Sequence, residues 1–333
     1  MNSFTPPPPL QALCDKNGNL DPAAIGWSDK PLDCRLPAHY GRRKRWNQWC
    51  ISTPHWVLSL TLADLDYLGY GALYFVDLDS GHSVLHSKRR LFGRGCQLPD
   101  NALQSQAFNH PRLQIQISEH PGRLRLTAVA LPVGGKPLQV ALDIQRPAHL
   151  DSLNLTVPFP GGGFHALSRH LALPAAGGVQ LGERHHDCVP GQSFAALDFG
   201  RGVWPLHSHW TRAALVAPGG IAGNFGSGWT DQSSLSENAL WFGGEVQPLQ
   251  GPIRLNQASA SPRAVWRLSD EHERVALTFT PRQHFKASPR LGPFYARTAQ
   301  WFGQYDGLLR GPQGERVPVK GALGWLSTAK ARW

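Results

Sequence analysis

Alternation with a period of two is the feature that most narrows what this chain can fold into. Trp56, Leu58, Leu60 and Leu62 alternate with Val57, Ser59 and Thr61. The same rule runs through Leu113, Ile115 and Ile117, through Leu124, Leu126, Ala128 and Ala130, through Leu138, Val140, Leu142 and Ile144, and through Val275, Leu277 and Phe279. Successive side chains of a strand point to opposite faces, so each run reads as a half-buried antiparallel strand. Turn signals separate the runs: Pro121-Gly122, Gly134-Gly135, Gly219-Gly220, Gly243-Gly244 and Gly311-Pro312. Convincing amphipathic helices are scarce, and 35 glycines with 28 prolines in 333 residues disfavour a helical bundle. An all-β chain of many short strands, a sandwich or barrel, is expected.

Val157-Pro158-Phe159-Pro160-Gly161-Gly162-Gly163 and Pro174-Ala175-Ala176-Gly177-Gly178 are breaker runs. They predict two β domains, 41–165 and 180–333, with a junction at 166–179 and an N-terminal extension over 1–40.

Charge says less than it first suggests. The net charge of +10 would suit an acidic partner. Its dense runs, Arg42 to Arg45 and Lys88 to Arg90, come without an RNA-binding or zinc-finger signature, so no nucleic-acid partner is expected. Five scattered cysteines form no C-x-x-C pair, and no charged segment followed by an apolar stretch opens the chain. A reducing, cytoplasmic setting follows as the expectation, with no integral membrane insertion because no long apolar run exists. The residues leave the oligomeric state open.

Two dense segments carry the candidate chemistry. In Asp198-Phe199-Gly200-Arg201-Gly202-Val203-Trp204-Pro205-Leu206-His207-Ser208-His209-Trp210, an extended backbone after Gly202 puts His207 and His209 on one face and Trp204 and Trp210 on the other. Asp198 and Arg201 are expected to pair across the glycine bend. Either a ligand site with an aromatic floor or a structural corner filled by tryptophan satisfies this pattern. His207-x-His209 could chelate a metal, but the glutamate that such barrels add nearby is missing, so neither metal nor cofactor is expected.

The second segment joins Asn224-Phe225-Gly226-Ser227-Gly228-Trp229 to Ser236-Glu237-Asn238-Ala239-Leu240-Trp241. It has neither a third glycine before a helix nor Gly-Lys-Ser/Thr, so it is no phosphate loop. Glu237 reads either as a carboxyl sheltered among tryptophans, with a raised pKa and a proton to donate, or, with Asp231, as a solvated turn residue. Asp64 and Asp66 read as paired acids on one strand face or as strand-end residues.

In this order, and with Trp46-x-x-Trp49 and Ala63-Asp64-Leu65-x-Tyr67-x-Gly69 upstream, these segments resemble the bacterial family Domain of Unknown Function 2804 over most of the chain. Two departures stand out: Arg169 where the family pattern suggests lysine, and Gly324-Trp325-Leu326-Ser327 without an acidic residue. More distantly the chain is similar in outline to double lipocalin-like proteins such as carotenoid hydratases and tocopherol cyclases. The resemblance implies two lipocalin-like antiparallel β-barrel or half-barrel domains packed together, with few helices. It also implies an apolar, isoprenoid- or lipid-like ligand and metal-free acid-catalysed hydration, cyclisation or isomerisation. In that reading Glu237, Asp198 or His207 is the acid, and Arg201, Trp204, His209, Trp210, Asn224, Trp229, Asn238 and Trp241 bind the ligand. A non-catalytic lipid binder and a carbohydrate-active protein with tryptophan platforms and paired carboxylates are the alternatives.

Overall fold

The computed structural model describes residues 10–132, 135–231 and 233–333, so Pro6 to Pro9 and half of the Gly134-Gly135 turn lie outside the described residues. The chain is all-β, with one 3-10 turn at Pro22–Ala24 capped by the Asp21 carboxylate. Its strands form two curled antiparallel sheets.

The first sheet follows the order 83–91, 68–77, 56–64, 43–52, 194–203, 164–181, 138–145, 123–130, 113–120, 106–110 and 96–97. The second follows 245–248, 239–242, 221–227, 207–217, 316–332, 294–310, 275–287, 266–269 and 254–257. Strands 123–130 and 138–145, and strand 113–120 as far as Ser118, are half-buried in alternation, as their period predicts. Strand Trp56–Asp64 is buried on both faces. Trp56, Leu58, Leu60 and Leu62 fill the interior of the first half-barrel, while Val57 on the opposite face joins the core between the sheets. That second core also takes Phe302 and Trp325 from the other sheet.

The junction predicted at 166–179 is not one. These residues lie inside an 18-residue strand, Phe164–Leu181, and the chain passes between sheets only at 204–206. The glycines at 161–163, all with positive φ, make a hairpin turn between Leu153–Pro158 and the long strand. A bulge at Leu171 and Ala172 shifts the register, and the strand changes its neighbour from Leu153–Pro158 to Leu138–Gln145 beyond it. Beyond it Gly177 lets strand Leu138–Gln145 come close, since a Cβ there would meet the Ala141 carbonyl oxygen at 2.3 Å.

The N-terminal extension is likewise part of the fold. Leu13, Leu32, Cys34 and Leu36 are buried in the core of the first half-barrel, and Gly26–Ser28 pairs with Leu153–Pro158.

Candidate functional site

A cleft of about 260 Å³ opens between the two sheets. Strand register builds it. Across the first sheet Arg169, Asp198, Gln48, Thr61 and Ala72 are successive cross-strand partners, so their side chains share one face. Across the second sheet the matching row is Gly226, Arg212, Ser327, Gln300 and Phe285. One pleat along, Gly200, Trp46, Ala63 and Tyr70 face a row of Trp210, Ala329, Thr298 and Ala287. The cleft therefore has a polar floor at Asp198, Arg212, Gln48 and Gln300, and walls that are largely aromatic and apolar, Trp46, Trp210, Tyr67, Tyr74, Phe294 and Trp333 among them.

Beneath the floor lies a charge cluster that bridges the sheets. Arg169 donates one guanidinium nitrogen to Asp198 Oδ1 and the other to Glu237 Oε2, the latter at 3.0 Å. Arg212 forms an ion pair with Asp198 Oδ2. All four side chains are at least nine-tenths buried. Two cations and two anions balance, which is the condition under which buried charges persist. Trp46 donates its indole N–H to Asp198 at 3.2 Å, and Trp229 donates to Glu237 Oε1. The Asn224 amide donates to both the Glu237 carbonyl, at 2.7 Å, and its carboxylate.

This arrangement overturns the expected protonation of Glu237. Burial alone would raise its pKa, but the Arg169 and Arg212 guanidiniums and the Trp229 and Arg169 hydrogen bonds outweigh it and hold the carboxyl below its ordinary value. Glu237 is an anion behind the floor, not a proton donor.

The expected pair of Asp198 with Arg201 is also absent. No bend separates them: both lie in strand Phe194–Val203, and an odd spacing sends them to opposite faces. Arg201 instead donates to the carbonyls of Trp46, Gly200 and Pro99 at 2.7–2.8 Å, with its guanidinium over the Phe199 ring. It ties elements of the first half-barrel together.

The other predicted residues divide. Trp210 lines the cleft. Trp204 and Trp229 stand behind Trp46 and Trp210 in one aromatic cluster. Trp241 lies in the core between the sheets and donates to the Asp151 carbonyl at 3.0 Å, away from the cleft. Asn238 accepts from the Gly226 N–H at 2.7 Å and so pins the segment that carries Glu237. His207 and His209 do share a face, but it is an exposed one, and neither reaches the cleft. Replacing both by alanine is expected to change stability by no more than about 0.5 kcal/mol, as urea unfolding would show, because exposed strand positions hold few contacts. Asp64 and Asp66 are not paired acids. Each faces an arginine, Arg45 and Arg43 respectively, and Asp66 has left the strand with φ of 68°. Among the described residues no three His, Cys, Asp or Glu side chains gather into a metal-binding group.

Four residues escaped sequence reasoning as site groups: Arg169, Arg212, Gln300 and His165. His165 is fully buried, stacks on Trp46 with ring centroids 4.8 Å apart, and shares Nδ1 with the Arg201 carbonyl at 3.2 Å. Burial and the neighbouring guanidiniums of Arg169 and Arg212 push its pKa well down, so it is neutral and its Nδ1 carries the proton. Two ionisable residues an even number apart in an otherwise apolar strand, as in His165-x-Leu167-x-Arg169, are the signal that could have found it.

Two curled half-barrel sheets that enclose a cleft define a double lipocalin-like protein. The chain belongs to the family described as Domain of unknown function (DUF2804), whose model matches residues 8–333. None of the curated proteins matches the sequence. Among solved structures it is similar to kievitone hydratase from Nectria haematococca, at 12% identity and a TM-score of 0.56 over 98% of both chains. It is also similar to a protein from Nitrosomonas europaea that carries the AttH name, at 13% identity and a TM-score of 0.52 over 89% of this chain and 94% of that one. At such identities the likeness is one of fold.

Proposed function

We propose that the cleft between the sheets binds an apolar, uncharged small molecule that carries one hydrogen-bond acceptor. One observation carries the reading: the polar floor of an otherwise aromatic cleft offers a donor that nothing satisfies. Gln300 Nε2 is buried in that floor and has no acceptor among the described residues. The floor itself calls for no ionised group, because Arg212 is already balanced by Asp198 and the cluster beneath sums to zero. A carbonyl or hydroxyl oxygen on an isoprenoid- or lipid-like body suits both floor and walls. The volume lies just below the ~300–1,000 Å³ usual for such sites, so the ligand is small.

Where this ligand is transformed, the chemistry is metal-free proton transfer, by hydration, cyclisation or isomerisation. Asp198 enters it as a carboxylate base, and the Arg212 guanidinium polarises the bound oxygen. This departs from an acid-initiated reaction, since the carboxyl that lines the cleft, Asp198, is paired with two guanidiniums. The name of the hydratase among its structural relatives agrees with a reaction of this class. The carbohydrate reading draws less support: Asp198 and Glu237 share one arginine, with no groove between them. Five unpaired thiols suit a reducing, cytoplasmic compartment.

Trp46, Trp210 and Trp333 line the cleft, so intrinsic fluorescence reports its occupancy. Titration with geranylacetone, geraniol and myrcene is expected to show quenching, strongest for the two oxygenated compounds. Gln300→Leu should lower affinity for the ketone by up to about tenfold, the equivalent of one hydrogen bond, and leave the hydrocarbon unchanged. Ala296→Trp, which fills the cleft, should abolish all quenching. Equal quenching in that variant, or none in the wild type, refutes the reading.

A further inference from the structure

At one end of the cleft the two sheets contribute hairpins of the same unusual composition. The hairpin strand Ser83–Leu91 and the turn after it carry Lys88, Arg89, Arg90 and Arg94 without a carboxylate between 83 and 97. The turn between Arg290–Leu291 and Phe294–Arg310 is flanked by Lys286, Arg290 and Arg297, again with no carboxylate between 286 and 297. None of these cations forms an ion pair among the described residues. Large apolar side chains stand at both tips: Leu91 is 56% exposed, Phe92 66% and Leu291 36%.

The two tips are neighbours. Arg89 donates to the Arg290 carbonyl at 2.9 Å. The Phe92 N–H donates to the Tyr67 carbonyl, and the Tyr67 ring stacks on Phe294, the partner of Leu291, with centroids 5.0 Å apart. Tyr67, Arg89, Leu291 and Phe294 all line the cleft, so this surface surrounds its mouth.

We propose that this surface docks on an anionic lipid membrane, with Leu91, Phe92 and Leu291 entering the interface and the arginines and lysines resting on lipid phosphates. Exposed apolar tips ringed by unpaired cations are what such a surface needs: burial supplies one part of the affinity and attraction to acidic headgroups the other. A duplex or single-stranded nucleic acid would use the cations but leave the aliphatic tips in water, so the tips decide for lipid. Phe92 adds to this, since it holds a left-handed φ of 59° at an exposed turn, a conformation that bulky residues rarely adopt, and the phenyl ring gains no cover from the protein there. The mouth of the cleft then opens onto the hydrocarbon, from which an apolar molecule could pass without crossing water. The docking itself does not depend on what the cleft holds.

Flotation of the full chain with phosphatidylcholine vesicles, and with vesicles that also contain phosphatidylglycerol, tests the proposal. Binding is expected only to the anionic vesicles, and it should fall steeply between about 0.1 M and 1 M salt as screening shortens from ~10 Å to ~3 Å. Arg89→Glu/Arg90→Glu should reduce it by at least about tenfold. Leu91→Ser/Phe92→Ser should reduce it severalfold while circular dichroism and fluorescence titration of the cleft remain as in the wild type, since neither side chain lines the cleft. Equal binding to both vesicle types overturns the proposal, as does no binding to the anionic ones. Tip variants that bind as well as wild type, or tighter binding to a single-stranded oligonucleotide that competes the vesicles away, overturn it in favour of a general polyanion surface.

Discussion

Arg169→Met is expected to lower the stability of the fold by about 3–5 kcal/mol, because it leaves Asp198 and Glu237 buried without their shared cation. Urea unfolding followed by tryptophan fluorescence measures the loss. Arg169→Lys is the control: it keeps one charge but cannot fork to both carboxylates, so its loss should be smaller. The pH dependence is specific. Glu237 is held below its ordinary 4.5, so its ion pair stabilises the protein fully above that pH, and this contribution fades as pH falls through the folded value. The deficit should thus be greatest at neutral pH and shrink on acidification. A variant within about 1 kcal/mol of wild type at neutral pH would remove the charge cluster from its central place in the fold.

Gly200→Ala is the second large effect. Its partner across the sheet is Trp46, and a Cβ on Gly200 would lie 2.3 Å from the indole ring. The indole must swing away, losing its hydrogen bond to Asp198 and its stacking on His165. A cost of about 1–3 kcal/mol is expected from the overpacking. Ligand quenching should weaken with it, because Trp46 is a wall of the cleft. The double variant Gly200→Ala/Trp46→Ala separates the two causes. With the ring gone the new methyl has room, so the two substitutions together should cost less than their sum. Strict additivity would mean that the glycine does not serve the indole.

The strands were legible because alternation reports directly on burial, and strands 123–130 and 138–145, with 113–120 as far as Ser118, follow it residue by residue. The continuous burial of 56–64 was not, because its second face is covered by a sheet built from residues more than a hundred positions away. Pro174, Gly177 and Gly178 read as a domain break for a related reason. Locally they oppose a strand, while in the sheet a bulge and a close backbone approach use them. Of the site, Asp198, Trp210 and Glu237 could be found by residue type and density. Their electrostatics could not. The state of Glu237 depends on Arg169, which lies just before the bulge in a strand whose continuity the sequence hides, and on Arg212, which arrives from the opposite sheet. The same limit applies to Arg201, whose side was decided by the absence of a bend between it and Asp198.

The order of strands also dictates when this protein can acquire its shape. In the first sheet, strand 194–203 sits between 43–52 and 164–181, and in the second, strand 316–332 sits between 207–217 and 294–310. Each sheet is therefore closed through its middle by the strand that is synthesised last among its members. A nascent chain holds two open edges on the ribosome until that strand emerges, and closing the gap joins segments about a hundred and fifty residues apart in the first sheet and more than a hundred apart in the second. Such non-local pairing is slow, and open edges invite wrong partners while it waits. Biogenesis thus falls into two late snaps, and Asp198 and Arg169 meet only at the first of them.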